Sequence, residues 1–143
     1  MNTDEPGYEV LPRERKADDR GVLIELVRDA PAGAQVYCFT IRPGRSRGGH
    51  WHLRKQEWFA CVHGAATLVL EPDQGAGGRV ELALSADVPE VLRVGPGVRH
   101  TFTSAGGALI VACISESFDP ADPDTYFPPA QADAARPERR LPQ

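Results

Sequence analysis

Short runs of β-branched and aromatic residues, each closed by glycine, proline or aspartate, recur along most of the chain. Runs that read as strands lie at 21–27, 35–41, 49–52, 57–63, 65–70, 79–84, 91–94, 100–103 and 108–115. Arg42-Pro43-Gly44 and Gly95-Pro96-Gly97 are turn signals, Gly64 separates two of the runs, and 73–78 reads as another turn. Many short strands with closely spaced turns predict a β-sandwich or barrel.

The length and the polarity of the ends predict one domain. A chain of 143 residues suffices for a single core. We expect an N-terminal arm at 1–20, the barrel with an Asp-Pro-rich extension at 21–129, and a flexible tail at 130–143. The longest apolar stretch, Ala108–Ile114, is too short to cross a bilayer, and the chain starts with polar and acidic residues. A cytoplasmic protein without a membrane partner is therefore expected.

Charge is distributed unevenly along the chain. The formal net charge is −4, so nonspecific nucleic-acid binding is not expected. Between residues 41 and 57, however, basic side chains outnumber the single acid Glu57; they are Arg42, Arg45, Arg47, Arg54 and Lys55. Such a cluster suits a small anion such as a phosphate, and a solvated basic surface is the alternative.

Three of the four histidines form a pattern with one glutamate. His50 and His52 are separated by one residue, Glu57 follows five positions later, and His100 comes after the Gly95-Pro96-Gly97 turn. Because residues i and i+2 of a strand face the same side, His50 and His52 are predicted to point into the same interior, where Glu57 and His100 can join them. This nitrogen and oxygen set suits zinc, iron, nickel, manganese or cobalt. The alternative is a metal-free polar pocket in which the histidines bind substrate or act as bases.

The stretches Gly49-His50-Trp51-His52 with Glu57, and Pro96-Gly97 to His100, resemble the two sequence motifs of the cupin superfamily. The resemblance covers about residues 21–118. It implies an all-β fold, a single cupin double-stranded β-helix (a jelly-roll barrel). It also implies a metal inside the barrel and a homodimer.

A narrower resemblance adds Asp19-Arg20-Gly21, Lys55-Gln56-Glu57 and the run from Phe118 to Phe127, which contains Asp-Pro-Asp-Thr-Tyr-Phe. In that order these segments are similar to the C-terminal cupin domain of CapF-type capsular-polysaccharide enzymes, a zinc-dependent epimerase of a UDP-linked 4-keto-6-deoxy amino sugar. A separate domain of those enzymes reduces the ketone, and no hydride chemistry is expected here. The chain also resembles, more loosely, the dTDP-4-keto-6-deoxyglucose ketoisomerases.

These resemblances imply an isomerase or epimerase that takes a UDP- or dTDP-sugar. Its metal ligands would be His50, His52, Glu57 and His100, with zinc as the first choice of metal. Another metal cupin enzyme (an oxygenase, lyase or cyclase of a biosynthetic pathway) and a non-catalytic ligand-binding cupin are the alternatives.

Proton transfer beside a ketone requires an acid and a base. The candidates are Lys55, His63, Tyr37, Tyr126 and a metal-bound hydroxide. Lys55 is a candidate only if its surroundings lower its pKa, and an exposed loop lysine is the alternative reading.

Substrate binding is assigned to basic and aromatic side chains. Arg42, Arg45 and Arg47 are the candidates for the diphosphate, and Trp58 is a candidate for stacking on a base or sugar. Trp51 has the opposite parity to the two histidines and is expected to pack outside the barrel.

Overall fold

The structure is a computed structural model that describes residues 7–72 and 78–129. Its secondary-structure elements are ten strands. They are β1 (Tyr8–Pro12), β2 (Arg15–Asp18), β3 (Gly21–Ile24), β4 (Gln35–Ile41), β5 (Arg45–His50), β6 (Glu57–Pro72), β7 (Val80–Ser85), β8 (Glu90–Val94), β9 (Val98–Ser104) and β10 (Ala108–Ile114). The predicted all-β class is therefore confirmed.

The long strand β6 organises the barrel. Its first part pairs with β8 and β10, and β10 in turn pairs with β4, while β1 extends the sheet beyond β8. Its second part pairs with β7 and β9, and β9 also pairs with β5. All of these pairs are antiparallel. A strand shared between two groups of partners bends them into two facing layers.

The extent of β6 differs from the sequence-based prediction. A break at Gly64 was predicted, but β6 runs through this residue over 16 positions. Gly64 has a φ of 74°, and the register between β6 and β10 shifts beside it, because Leu109 pairs with His63 whereas Ile110 pairs with Cys61. The bulge absorbs the irregularity, so pairing continues on both sides of Gly64.

The described part of the N-terminal segment contains strands. Residues Tyr8–Pro12 pair in register with Val94–Glu90, and Arg15–Asp18 form a separate hairpin with Gly21–Ile24. The start of the predicted arm (1–6), most of the turn predicted at 73–78 and the predicted tail at 130–143 lie outside the described residues.

The core lies between the layers and is apolar and aromatic. Phe59 and Phe102 are each 2% exposed and their ring centroids are 4.9 Å apart, and Phe39 packs on both. His100 lies beside this aromatic group, 5.7 Å from Phe59 between ring centroids. The aromatic part of the core therefore packs directly against the histidine cluster. Within the described residues there is no helix of the length and apolarity that a membrane span requires.

Candidate metal centre

The structure brings together the four residues that the sequence predicted as metal ligands. His50 ends β5, His52 follows it, Glu57 begins β6, and His100 lies in β9 opposite His50. One nitrogen or oxygen of each lies within 4.8 Å of the corresponding atoms of the others. His52, Glu57 and His100 are buried and His50 is partly buried. The convergence relies on residues that are distant in sequence.

His52 lies beyond the end of β5, yet its ring stays beside that of His50, with 5.1 Å between centroids. Trp51 explains this, because it forms an isolated antiparallel bridge with Tyr126. The bridge keeps the backbone extended past the strand end, so the i, i+2 relation predicted from the sequence is kept.

The Nδ1 atoms of two histidines point away from the cluster. Nδ1 of His52 lies 2.6 Å from the carbonyl oxygen of Asp124, and Nδ1 of His100 lies 3.0 Å from that of Val98. A carbonyl oxygen only accepts hydrogen bonds, so each Nδ1 carries the proton. The two Nε2 atoms therefore face Glu57, at 3.2 Å for His52 and 2.9 Å for His100.

Unsatisfied buried atoms indicate what the cluster fits. Nε2 of His52 and Oε2 of Glu57 are buried and make no hydrogen bond of acceptable geometry, although both lie close to polar neighbours. Buried polar atoms left in this way are costly. Such unsatisfied lone pairs, beside two histidines whose Nδ1 atoms are held by backbone carbonyls, are what a metal-binding set requires. The residues thus fit a divalent cation that accepts nitrogen and oxygen ligands.

Charge within the cluster follows from the same contacts. Burial favours the neutral form of Glu57, but the charge of His100 and the close polar contacts of His100 and His52 hold its pKa well below the usual range. Burial alone would lower the pKa of His100, and the attraction of Glu57 outweighs it and raises that pKa. A buried carboxylate thus provides the negative charge that a cation needs.

The segment 118–127, here called the C-terminal strap, packs against the cluster. Trp51 and Tyr126 exchange backbone hydrogen bonds of 3.1 and 3.0 Å, and their rings stack with 6.2 Å between centroids. The Phe127 ring meets the His50 ring edge-on at 5.4 Å. Trp51 therefore packs on the strap rather than inside the barrel, as its parity predicted.

Asp124 lies buried in the strap, and the sequence analysis assigned it no role. It is 2% exposed, and its carboxylate accepts hydrogen bonds from the backbone N–H groups of Leu53, Arg54 and Lys55. Burial opposes the charge, but these three bonds outweigh it and lower the pKa of Asp124. The only sequence signal was its place in the Asp-Pro-Asp-Thr-Tyr-Phe run.

The acid–base candidates are placed very differently. Tyr37 is on the same face of β4 as Phe39 and Ile41 but is 43% exposed; partial burial, with the charge of Glu57, raises the pKa of Tyr37 to about 12. Tyr126 is stacked on Trp51. Tyr37 is therefore close enough to feel the charge of Glu57, and Tyr126 lies in the strap that packs against the cluster.

The other two candidates are occupied or distant. Lys55 is buried, at 4% exposure, so the alternative of an exposed loop lysine is wrong. Its Nζ donates to the Pro123 carbonyl at 3.0 Å and lies 5.5 Å from the centre of the Phe118 ring. His63 is exposed and lies six residues along β6 from Glu57, which is about 20 Å of extended strand. The structure does not bring His63 to the cluster.

Two of the basic candidates, Arg45 and Arg47, lie on β5. Arg45 and Arg47 pair with Ser104 and Phe102, and directly opposed residues share a face. Nε of Arg47 donates to the Thr40 carbonyl at 2.6 Å, and its guanidinium lies 6.0 Å from the Phe39 ring centre. Both arginines therefore lie on the inner face while remaining exposed.

The remaining binding candidates lie elsewhere. Arg42 is exposed in the turn before β5. Trp58 lies between Glu57 and Phe59 on β6 and so faces the opposite side of the sheet. The structure does not bring Trp58 to the cluster.

A jelly-roll barrel with three histidines and one glutamate converging beside its aromatic core defines the cupin class. Residues 16–126 match the model of the family described as polysaccharide biosynthesis C-terminal domain. The chain belongs to this family.

Known proteins agree with that assignment. A Pseudomonas aeruginosa protein named UDP-2-acetamido-2,6-beta-L-arabino-hexul-4-ose reductase is 32% identical over 112 residues, which are 77% of this chain and 30% of that protein. CapF of Staphylococcus aureus, a capsular polysaccharide assembling protein, is 30% identical with a TM-score of 0.62 over 81% of this chain and 34% of its own. The chain thus spans about a third of the length of these relatives. The predicted resemblance to CapF-type proteins is confirmed.

More distant structures share the barrel. One is a double mutant of ChmJ, a 3′-monoepimerase from Streptomyces bikiniensis, in complex with dTDP. It is 19% identical, with a TM-score of 0.74 over 89% of this chain and 72% of its own. At this identity the likeness establishes the fold alone, and it confirms the predicted jelly-roll.

Proposed function

We propose that the chain is a metal-dependent isomerase or epimerase that acts by enolisation on a nucleotide-linked 4-keto-6-deoxy sugar. The observation that carries the proposal is the convergence of His50, His52, Glu57 and His100, whose ligand atoms lie within 4.8 Å of one another. Two of these atoms, Nε2 of His52 and Oε2 of Glu57, are buried without a hydrogen bond of acceptable geometry. The name of the Pseudomonas relative describes a UDP-linked sugar with a ketone at carbon 4, which supports the substrate class.

The reaction follows from the acidity of a C–H bond beside a ketone. A base removes that proton, the electron pair spreads onto the ketone oxygen, and a proton is returned to carbon on the other face or at a neighbouring carbon. A divalent metal held by the four ligands, with zinc as the first choice, would supply Lewis acidity towards the ketone oxygen. The protein's own task is to bind the sugar against the cluster and to move the protons.

Tyr37 is the acid that we propose. Its pKa of about 12 means that the phenol keeps its proton at neutral pH and can donate it, but does not serve as the resting base. It continues the row of inward residues that begins at Ile41 and Phe39, so its ring lies towards the end of the barrel beyond the core. The Lys55 ammonium is already bound to the Pro123 carbonyl, and we do not assign it the role of base.

Arg45 and Arg47 are proposed to bind the diphosphate of the substrate. Because Nε of Arg47 is held by the Thr40 carbonyl, the guanidinium is fixed while its terminal nitrogens remain as donors for an anion. A held guanidinium loses less entropy on binding phosphate than a free one.

A homodimer is part of the proposal. Val22 and Leu23 in the β2–β3 hairpin are 50% and 63% exposed, and Val36 in β4 is 66% exposed. Exposed aliphatic residues on strands favour association between copies. Light scattering of the purified chain measures this, and a monomeric mass at micromolar concentration would contradict it. A cytoplasmic location stays a prediction.

Product formation tests the proposed activity. UDP- and dTDP-linked 4-keto-6-deoxy sugars are incubated with zinc-loaded protein, with chelator-treated protein and with the His100→Ala variant, and the sugars are separated by chromatography. New isomers are expected only with the zinc-loaded wild type. Absence of any isomer from all of these sugars, with zinc bound, would overturn the proposal.

A further inference from the structure

The C-terminal strap reaches the cluster from a part of the chain about 70 residues away from β5. Asp124 hydrogen-bonds a candidate metal ligand through a backbone atom, while its side chain holds the loop that follows that ligand. The two sets of contacts come from a single residue, and they act on consecutive positions of the loop.

The first contact fixes the His52 ring. The Asp124 carbonyl oxygen lies 2.6 Å from Nδ1 of His52, and both residues are buried. Since only Nδ1 can donate in this pair, the contact selects the tautomer whose Nε2 lone pair faces the cluster. His52 would lose this selection if the carbonyl turned away.

The second set of contacts holds the backbone after His52. The carboxylate of Asp124 accepts from the N–H groups of Leu53 and Arg54 at 3.0 Å each and of Lys55 at 3.3 Å. These N–H groups precede Glu57, so the carboxylate also sets the path of the chain between two of the candidate ligands. Charge-assisted bonds of this kind are stronger than neutral ones.

The backbone of Asp124 explains how one residue makes both sets of contacts. Its φ of 43° is the one positive value for a non-glycine residue in the described part of the chain. This left-handed conformation turns the carbonyl and the side chain towards the 52–55 loop, and among non-glycine residues aspartate and asparagine tolerate it best.

We propose that Asp124 is a positioning residue for the metal centre, selecting the tautomer and orientation of His52 and closing the loop between His52 and Glu57. The proposal rests on the metal centre proposed above. It predicts that zinc affinity depends on a residue that has no ligand atom in the cluster.

The test compares three variants by zinc competition titration. Asp124→Gly keeps the left-handed backbone accessible and removes only the carboxylate, and it is expected to bind zinc about 10–100-fold more weakly. Asp124→Asn keeps an acceptor and the same backbone preference, and is expected to recover most of the affinity. Asp119→Gly is the matched control and should bind as the wild type does, because Asp119 is an exposed residue of the same strap whose carboxylate accepts a hydrogen bond from the Ala121 N–H.

Nitrogen-15 NMR of the histidines adds a readout that general loss of stability does not move. In zinc-loaded wild type, His52 is expected to bind through Nε2 with a proton on Nδ1, and in Asp124→Gly the Nδ1 proton should exchange faster with water. Because the wild-type measurement needs no variant, it tests the proposal even if Asp124→Gly does not fold.

The outcomes separate the two proposals. No zinc uptake by the wild type would overturn the metal centre. Zinc uptake by the wild type with equal affinity in Asp124→Gly, or a His52 bound through Nδ1, would leave the centre in place and overturn the role of Asp124.

Discussion

Adding a single methyl group at Gly48 is expected to damage both the fold and the metal centre. Gly48 lies in β5, two residues before His50, and has a φ of 88°. A Cβ built there lies 2.6 Å from the carbonyl oxygen of His100, which belongs to the paired strand β9. To restore ordinary contact the two strands must move apart by about 1 Å.

The magnitude can be separated into two parts with Gly44 as the control. Gly44 lies in the turn before β5 with a similar φ of 75°, and a Cβ there meets nothing within 4 Å. Gly44→Ala therefore measures the left-handed strain alone, about 1–2 kcal/mol. Gly48→Ala adds the clash, and we expect a further loss of about 1–3 kcal/mol in the free energy of unfolding.

The site adds a second readout. The rings of His50 and His100 are 4.8 Å apart across the β5–β9 pair, and metal–ligand distances tolerate only about 0.2 Å of change. Zinc affinity should therefore fall about tenfold or more in Gly48→Ala and stay unchanged in Gly44→Ala. Urea unfolding and isothermal titration measure the two effects. Equal stabilities and equal zinc affinities in the two variants would refute the reasoning.

Three further predictions follow from the site. Zinc at a hundred times its dissociation constant should raise the free energy of unfolding by about 2.7 kcal/mol and Tm by about 5–11 °C. Calorimetry should find no such gain in His100→Ala, and a similar gain in that variant would contradict the ligand assignment. Arg47→Ala should weaken UDP or dTDP binding about tenfold at unchanged zinc content. Arg20→Ala, in the β2–β3 turn, is the control and should bind nucleotide as the wild type does. Equal nucleotide affinities in Arg47→Ala and the wild type would exclude a role for Arg47. Because the pKa of Tyr37 is raised to about 12, stability present below pH 10 is lost as the pH rises through about 12. Tyr37→Phe should remove that part of the alkaline loss in urea unfolding, and an unaltered pH profile would contradict the shift.

The ligand set was predictable because its signals are local. The i, i+2 spacing of His50 and His52 needs only an extended backbone, and a turn before His100 is enough to bring in a distant strand. The role of Asp124 was not predictable in this way. Its contact with His52 spans 72 positions and depends on a left-handed backbone that the sequence does not specify.

Two elements show the same limit in the fold. Gly64 reads locally as a strand breaker, but pairing of β6 with β10 on one side and β7 on the other continues the strand through it. The run Tyr8–Pro12 is mostly exposed and reads as an arm, yet backbone pairing with β8 makes it the edge of the sheet. Backbone pairing of this kind leaves little trace in side-chain polarity.

Solvent exchange at the carbon beside the ketone tests the central claim most directly. Zinc-loaded protein is mixed with a UDP- or dTDP-linked 4-keto-6-deoxy sugar in deuterated water, and the ring protons are followed by NMR, with a chelator-treated sample as control. Enolisation predicts deuterium beside the ketone in the zinc-loaded sample only. Unchanged ring protons with every such sugar, while zinc remains bound, would contradict it.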